Sequence, residues 1–230
     1  MNLKQQAAEA ALSYVKSGMV LGLGTGSTTT YFIHMLGKKV SAGELVDITG
    51  VPTSNGIAQL AEELGIPLAS LASLTPGKTL DLAVDGADEV DPDLNLIKGL
   101  GRALLREKII ESHAERLLII VDESKVVDKL GRGPLPVEVV PFEANIQVRW
   151  LEDLCGRAEL WLEEDGKPVM TDNGNYLVRC WFPEGISKPY DLARLMADRP
   201  GIVEHGLFLD MADQVIIAAE DGIRVKERPK

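Results

Sequence analysis

Cysteine and histidine are both scarce in this sequence. Its 230 residues include two cysteines, Cys155 and Cys180, and three histidines, His34, His113 and His205. The cysteines lack the paired spacing of a zinc site or a disulfide framework. The histidines have no ligand-like spacing either. The sequence therefore predicts neither a metal site nor a disulfide-stapled scaffold.

An excess of positive charge and a long apolar run are also missing. Asp and Glu number 35 against 24 for Lys and Arg, which gives a net charge of −11. Because this sign opposes binding to a phosphate backbone, nucleic acid is not an expected partner. No apolar run approaches the ~20 residues of a membrane helix, and the N-terminus lacks the pattern of a signal peptide. We predict a cytoplasmic protein without a membrane partner.

Strand and helix patterns alternate over the first 130 residues. Short apolar runs at 19–24, 80–88 and 116–122 read as strands, and stretches of helical character lie between them. Strands that alternate with helices of this length predict βαβ units. The expected fold class is therefore α/β, with a mostly parallel, Rossmann-like sheet and helices on both of its faces.

The pattern changes after about residue 130. The stretch at 131–142, GRGPLPVEVVPF, is rich in Pro and Gly and predicts a crossing linker. Beyond it, the turn pairs Asp165-Gly166 and Asn173-Gly174 join runs of alternating polarity, which is typical of antiparallel strands. We predict a parallel α/β domain at 1–130 and 208–230. A smaller α+β domain at 131–207 would be inserted near the C-terminus.

A glycine-rich loop, GLGTGSTTT at 22–30, follows the first predicted strand and opens a helix. Its glycines allow a tight turn, while hydroxyl groups and the helix N-terminus offer donors to an anion. A plain turn with a Ser or Thr N-cap is the alternative. The position at the ligand-binding edge of a parallel sheet favours anion binding. Ser27 replaces the last glycine of a dinucleotide fingerprint, and no Gly-Lys-Ser/Thr follows, so a nucleotide loop is not predicted.

Acidic residues cluster in VDGADEVD, at 84–91. Asp85 is expected at the very end of a buried strand, and Asp88 follows after two small residues that leave room for a ligand. Two close acids raise each other's proton affinity, which suits proton transfer near neutral pH. For Glu89 and Asp91 a solvated turn is the favoured interpretation.

A third segment, KGLGRALLREK at 98–108, combines basic and flexible residues. Lys98 precedes Gly99 and Gly101, whose amides are candidates for an oxyanion nest. Glu107 lies on the helix that follows. A glutamate between two basic residues is more commonly an exposed helical ion pair.

Lys125 completes the set, because it lies just past the predicted strand at 116–122. Four loops would then bring a phosphate-type nest, two acids, a further glutamate and two lysines to one edge of the sheet. In the absence of a metal-binding pattern or a nucleophile triad, these groups suit proton transfer beside a carbonyl group.

Seven motifs follow one another in an order that is specific to one family. They are GLGTGST (22–28), DGADEVD (85–91), KGLGRALLREKII (98–110), VDESK (121–125), LPVEVVPF (135–142), TDNGNYLV (171–178) and GIVEHGLF (201–208). Over nearly its whole length the chain resembles ribose-5-phosphate isomerases of the A type. The resemblance implies interconversion of ribose 5-phosphate and ribulose 5-phosphate in the pentose phosphate pathway. It also implies a homodimer that needs no metal and no other cofactor.

The resemblance assigns roles to individual residues. Glu107 matches the general base, which moves a proton between C2 and C1 through an enediolate. An aspartate of the second segment would assist ring opening, and Lys98 with nearby amides would stabilise the oxyanion. Lys4 aligns with a lysine near the phosphate. The catalytic residues would be Glu107, Asp85, Asp88 and Lys98, and the substrate-binding residues Thr25, Gly26, Ser27, Thr28, Asp85, Gly86, Ala87, Asp88, Lys98, Gly99, Leu100, Gly101 and Lys125.

Three positions depart from the family pattern. Leu100 stands where many members carry glycine, Arg102 where a small residue is common, and Arg179 where Asp is frequent. Other functions stay open at this point: a nicotinamide-dependent oxidoreductase, a non-catalytic sugar-phosphate sensor, and a related sugar-phosphate deaminase or lactonase. The missing third glycine disfavours the first, and the acidic surface disfavours a DNA-binding sensor.

Overall fold

The structure, a computed structural model, describes residues 2–75, 77 and 79–228. The chain forms two compact units. The first unit comprises Met1–Ala87, Arg106–Lys125 and Met211–Lys230, and the second comprises Asp88–Leu105 and Val126–Asp210. Residues 88–105, 126–130 and 208–210 thus belong to the second unit, whereas the sequence pattern predicted them in the parallel domain.

The helices and strands follow one another closely along the chain. The strands are β1 (Val20–Leu23), β2 (Thr49–Pro52), β3 (Leu82–Asp85), β4 (Glu89–Val90), β5 (Leu96–Ile97), β6 (Leu117–Asp122), β7 (Leu135–Val139), β8 (Arg157–Leu160), β9 (Tyr176–Trp181), β10 (Ile202–His205), β11 (Leu207–Phe208), β12 (Gln214–Ala219) and β13 (Gly222–Glu227). The α-helices are α1 (Leu3–Leu12), α2 (Ser27–Ser41), α3 (Asn55–Glu63), α4 (Leu104–Glu111), α5 (Ala144–Cys155) and α6 (Pro189–Ala197). Among the described residues, no helix combines the length and apolar character that a bilayer span requires.

The first unit is built on a six-stranded sheet with the order β13-β12-β6-β3-β1-β2. All neighbouring pairs are parallel except β12 and β13, which form an antiparallel hairpin. Side chains alternate between the two faces of each strand. On β1, Leu21 and Leu23 join a core with Phe32 of α2, whereas Val20 joins Ile110 of α4 on the other face. The predicted α/β class is confirmed.

The second unit contains two antiparallel sheets, one of four strands in the order β10-β7-β9-β8 and one of three in the order β11-β5-β4. The linker predicted at 131–142 is wrong. Residues 135–139 form β7, which is buried along its whole length between β10 and β9. Pro136 within this strand, with the prolines on either side of it and the glycines before it, gives the segment the composition of a linker. The strand nevertheless accommodates Pro136, which lies opposite Arg179 of β9.

Candidate active site

The first unit has a topological switch point between β1 and β3, which are neighbours in the sheet. The chain leaves β1 towards β2 on one side, and it leaves β3 towards β6, the next strand of this sheet, on the other. Ligands of parallel sheets bind outside the carboxyl ends of the strands at such a point. The loops that follow β1, β3 and the neighbouring β6 carry Thr25–Thr28, Gly86 and Lys125 respectively.

Asp85 is the last residue of β3 and is fully buried. One of its carboxylate oxygens accepts a hydrogen bond from the amide of Gly86 at 2.6 Å. The backbone of Gly24 passes so close that a Cβ there would overlap the Asp85 carboxyl group. The Gly24 amide also donates to the Val84 carbonyl at 3.0 Å. The sheet therefore fixes the position of this acid through backbone contacts.

Thr25 lies in a cluster of hydroxyl groups. Its Oγ1 is 2.7 Å from that of Thr53 and donates to Ser54 at 2.8 Å. Thr53 and Ser54, which follow β2, are not among the predicted site residues. Their position directly after a strand is the one feature of the sequence that could have indicated them. The N-cap of α2 is Gly26, which has no side chain to accept from the helix amides.

A cavity of about 780 Å³ adjoins the starts of α1 and α2. Within it, the Lys4 ammonium donates to Ser27 Oγ at 2.8 Å. The first turn of α2 has no acidic side chain, and a helix N-terminus with a nearby cation favours an anion. The lining residues are Asn2, Leu3, Lys4, Ser27, Thr30, Tyr31, His34 and Asp122.

Lys125 ends a short 3₁₀ turn, Glu123–Lys125, that directly follows β6. Asp122 closes this turn by accepting from the amide of Ser124 at 3.0 Å and from its hydroxyl group. The lysine is half-buried. A carboxylate at the end of β6 thus orients the segment that carries Lys125, the predicted substrate-binding lysine.

Glu107 lies on α4 and is only 2% exposed. The interpretation of this residue as an exposed ion pair is therefore wrong. On the same helix Glu111 and Ile110 are also buried, whereas Ile109 is largely exposed. Helical spacing places residues 107, 110 and 111 on one inward face. Arg106 makes its contact elsewhere, donating to Asn55 Oδ1 at 2.8 Å.

In the second unit, Asp88 is tied to the segment that follows β5. Its amide donates to the Ile97 carbonyl at 2.8 Å, and its carboxylate accepts from the amide of Leu100 at 2.9 Å. In this structure one amide of the Gly99–Gly101 segment, that of Leu100, therefore donates its hydrogen bond to Asp88. Gly99 has φ +111° and would bring a Cβ within 2.8 Å of Leu104, so this turn requires glycine.

Lys98 is 2% exposed and lies beside the segment that contains β11. Its amide donates to the Gly206 carbonyl at 2.9 Å. Its ammonium group lies 5.3 Å from the ring centroid of Phe208, a cation–π contact. Phe208 ends the motif at 201–208, and the sequence pattern predicts no role for it. A contact across so many residues has no local sequence signal.

Glu89 and Asp91 are buried, at 3% and 9% exposure, so a solvated turn is the wrong interpretation of both. Glu89 accepts from the amides of Gly131 and Gly133 at 2.7 and 2.5 Å. Asp91 accepts from the amide of Asn95 at 2.8 Å. Both acids organise loops of the second unit, because buried amides need acceptors.

Comparison with known proteins identifies close relatives of this chain. A family model described as ribose 5-phosphate isomerase A (phosphoriboisomerase A) matches residues 49–222. A ribose-5-phosphate isomerase A from Pyrococcus abyssi is 46% identical over 229 residues, which cover 98% of each chain. One from Roseiflexus castenholzii is 48% identical over 98% of this chain and 95% of its own. A probable ribose-5-phosphate isomerase 3 of Arabidopsis thaliana, named chloroplastic, is 46% identical over 97% of this chain and 82% of its own.

Solved structures agree with these relatives. A D-ribose-5-phosphate isomerase in complex with phospho-erythronic acid is 45% identical and has a TM-score of 0.94, covering 99% of this chain and 100% of its own. The ribose 5-phosphate isomerase of Plasmodium falciparum is 34% identical with a TM-score of 0.93, covering 99% of each chain. Similarity of sequence and of fold therefore extends over nearly the whole chain.

Proposed function

Because the chain belongs to the ribose 5-phosphate isomerase A family, we propose that it interconverts D-ribose 5-phosphate and D-ribulose 5-phosphate. Family membership makes the chain an isomerase, which disfavours the oxidoreductase, sensor, deaminase and lactonase readings. The observation that carries the proposed mechanism is the burial of Glu107, at 2% exposure. Burying a carboxylate is costly, so a position that tolerates one is a candidate for chemistry rather than for solvation.

In the proposed reaction Glu107 acts as the base. Its carboxylate removes the proton from C2 of the open-chain aldose, and the electron pair moves to form the C1–C2 double bond of an enediolate. The same carboxyl group then returns the proton to C1. The proton of the C2 hydroxyl group passes to the C1 oxygen, so that C1 gains a hydroxyl group and the C2 oxygen becomes the ketone carbonyl. No electrons are gained or lost overall, so the reaction needs no redox cofactor. In this proposal Lys98, rather than a metal ion, stabilises the negative charge of the enediolate.

Lys98 and the aspartates have supporting roles in this proposal. The Lys98 ammonium group stabilises the negative charge that develops on the substrate oxygen in the enediolate. Its low exposure excludes water, which strengthens such an interaction. Asp85 or Asp88 assists ring opening, in which a proton leaves the C1 hydroxyl group and another reaches the ring oxygen.

The phosphate group is proposed to bind at the loop after β1. The amides at the start of α2 and the hydroxyl groups of Thr25–Thr28 provide donors, and Lys125 and Lys4 provide positive charge. The Lys4–Ser27 hydrogen bond and the adjoining cavity support this assignment. Gly86, Ala87 and the Gly99–Gly101 segment would contact the sugar.

The ligand of one similar structure fits this chemistry. That isomerase was solved in complex with phospho-erythronic acid. A carboxylate at the end of a phosphorylated sugar chain is planar and negatively charged, like the enediolate proposed here. Ligands that resemble a transition state or intermediate bind tightly to enzymes that form it. The acid is therefore a suitable non-reacting probe for this protein.

Proton exchange tests the proposed route directly. Protein, EDTA and ribose 5-phosphate are mixed in deuterated water, and C1 and C2 are followed by NMR. Formation of ribulose 5-phosphate with solvent deuterium incorporated is the expected result. A parallel sample without EDTA is the control: conversion there but not in the EDTA sample would overturn the metal-free route. Binding without conversion in both samples would overturn the isomerase assignment.

The Glu107→Gln variant tests the identity of the base. We expect it to bind phospho-erythronic acid while turnover falls by about a hundredfold to ten-thousandfold, because proton transfer by a positioned side chain contributes that much. Glu111→Gln is the matched control, since Glu111 is a second buried carboxylate of α4. Unchanged turnover in Glu107→Gln would overturn the assignment.

A homodimer in the cytoplasm, acting in the non-oxidative branch of the pentose phosphate pathway, is part of the proposal. Light scattering coupled to size-exclusion chromatography tests the dimer, because two chains of 24.9 kDa double the mass of one. A monomer that retains full activity would contradict it.

A further inference from the structure

Arg102 and Arg179, two of the departures from the family pattern, belong to one stack of alternating Arg and Trp side chains. The guanidinium of Arg179 lies 5.1 Å from the ring centroid of Trp161 and 5.3 Å from that of Trp181. Arg102 lies 5.2 Å from Trp161 at one end, and Arg157 lies 4.3 Å from Trp181 at the other. We call this stack the arginine–tryptophan ladder. All of its contacts are within cation–π distance.

The register of β8 and β9 explains why the ladder forms. Arg157 pairs with Trp181, and Glu159 pairs with Arg179. Directly paired residues of antiparallel strands share a face, so these four side chains lie together on one surface. The intervening Ala158 and its partner point into the core of the second unit.

Two glutamates form ion pairs with the three arginines of the ladder. Glu159 accepts from Arg157 at 2.9 Å and from Arg179 at 2.6 Å. Both oxygens of Glu163 accept from Arg102, at 2.6 and 3.1 Å. The second pair is bidentate, and this geometry fixes the direction of a guanidinium group as well as its position. Arg102 is therefore held by a stacked ring and by a two-point ion pair.

The backbone of Arg102 adopts an unfavourable conformation, which indicates that contacts with neighbouring residues hold it in place. Its φ is +67°, a left-handed conformation that residues other than Gly, Asn and Asp rarely adopt. Such conformations persist where surrounding contacts determine them, and they concentrate at functional sites. Here the surrounding contacts are the Trp161 ring and Glu163, which lies in the hairpin at 161–169.

Arg102 is the last residue of the tight turn that contains Gly99–Gly101. The Arg102 amide donates to the Gly99 carbonyl at 2.9 Å and completes a tight turn. Within that turn the Leu100 amide donates to the Asp88 carboxylate. Leu100 and Gly101 are exposed and gain little support from packing. The anchor at Arg102 therefore restrains the turn from its outer end.

We propose that Arg102 is a positioning residue, which fixes the Gly99–Gly101 turn against the hairpin at 161–169 and thereby sets the affinity for the phosphorylated substrate. This inference rests on the proposed function, in which that turn contacts the sugar. A restrained turn binds substrate without first losing conformational freedom. A released turn binds more weakly in the ground state and the transition state alike, which raises KM and leaves kcat nearly unchanged.

Three variants test this inference: Arg102→Ala, Glu163→Gln and Arg157→Ala. KM and kcat are measured with ribose 5-phosphate, and Kd for phospho-erythronic acid is measured by calorimetry. We expect Arg102→Ala to raise KM and Kd by about tenfold and to change kcat by less than about threefold. Glu163→Gln, which loses the two-point pair and keeps the stacking, should raise both constants by a smaller factor.

Arg157→Ala is the matched control. Arg157 also stacks on a tryptophan and pairs with a glutamate, but its contacts lie at the other end of the ladder. Its KM and Kd should equal those of the wild type. Unchanged constants in Arg102→Ala, or a fall in kcat alone, would overturn the inference. A wild type that binds the acid and turns over no sugar would overturn the proposed function instead, and the Kd comparison would still decide the role of Arg102.

Discussion

In the first unit Asp85 stands at the end of a strand inside a six-stranded sheet, whereas in the second unit Asp88 and Lys98 flank strands of only two residues each. Asp85 is fixed by the backbone of β3 and by the close approach of Gly24. Lys98 is fixed by contacts with a distant segment that includes Phe208. Main-chain groups contact the Asp85 carboxylate, whereas the ammonium group of Lys98 lies against a side chain, although the Lys98 backbone is also held by the Gly206 carbonyl.

This difference has a consequence for mutation. Where the main chain packs directly against a side chain, as Gly24 does against Asp85, there is no space for a further atom. One added methyl group therefore displaces the neighbouring group. A side-chain contact contributes a limited free energy, and its loss weakens the arrangement without displacing it. Substitutions in the first unit should therefore have larger effects on activity than substitutions around Lys98.

Gly24→Ala should produce the largest effect. The new Cβ would overlap the Asp85 carboxyl group, and misplacing a reacting group by about 1 Å can cost roughly a hundredfold in rate. We expect kcat/KM to fall by at least that factor while the protein stays folded. Gly56→Ala is the control, because a Cβ there meets open space. If Gly24→Ala retains wild-type kcat/KM, the main-chain account of Asp85 is wrong.

Glu89→Gln should have the next largest effect, mainly on stability. Glu89 accepts from two amides, and the amide nitrogen of Gln would face one of them as a second donor. An unsatisfied buried group costs about 1–3 kcal/mol, which corresponds to a fall in Tm of roughly 4–8 °C for about 2 kcal/mol in a chain of this size. Calorimetry of this variant and of Glu164→Gln, an exposed control, provides the measurement. Equal Tm values for Glu89→Gln and the wild type would show that the hydrogen bonds from Gly131 and Gly133 to Glu89 do not stabilise the fold.

Phe208→Leu should reduce kcat moderately. The Lys98 ammonium group loses its aromatic neighbour, and a buried cation–π contact is worth about 0.5–2 kcal/mol, or roughly twofold to thirtyfold in rate. Phe32→Leu is the control, because Phe32 is equally buried but packs in the apolar core of the first unit. If both variants keep wild-type kcat per folded molecule, Phe208 has no influence on Lys98.

Glu159→Gln should have the smallest effect, and it should depend on pH. The hydrogen bond from Arg157, with the charges of Arg157 and Arg179, holds the pKa of Glu159 below its usual value. A lowered pKa stabilises the folded state above the unfolded pKa of about 4.3, and this gain is lost as the pH falls through the folded pKa. Since Glu159 and its two arginine partners are partly exposed to solvent, we expect a difference below about 1 kcal/mol at pH 7.

Urea titrations of the wild type and of Glu159→Gln measure this difference at pH 7 and at pH 3. The two proteins should converge at the lower pH. A difference that grows on acidification would mean that the carboxylate is not stabilised by its arginine neighbours.

Local sequence was a good guide to part of the candidate site. The apolar run that ends at Asp85 predicted a strand end, and the glycine loop after β1 predicted a strand-to-helix turn. The prediction failed at residues 131–142, where prolines concealed the buried strand β7. It also failed for Glu89, whose amide partners lie more than forty residues further along the chain.

The sequence by itself determined the α/β class, the strand ends that carry Asp85 and Lys125, and the family, because these depend on periodicity and on the order of motifs along the chain. Only the tertiary structure decided that Glu107 is buried, that Phe208 lies beside Lys98 and that Arg102 stacks on Trp161. A carboxylate between two basic residues has the same local pattern on a buried face as on an exposed one. Packing between distant segments makes the choice, since it alone sets which groups lose water and which partners they gain.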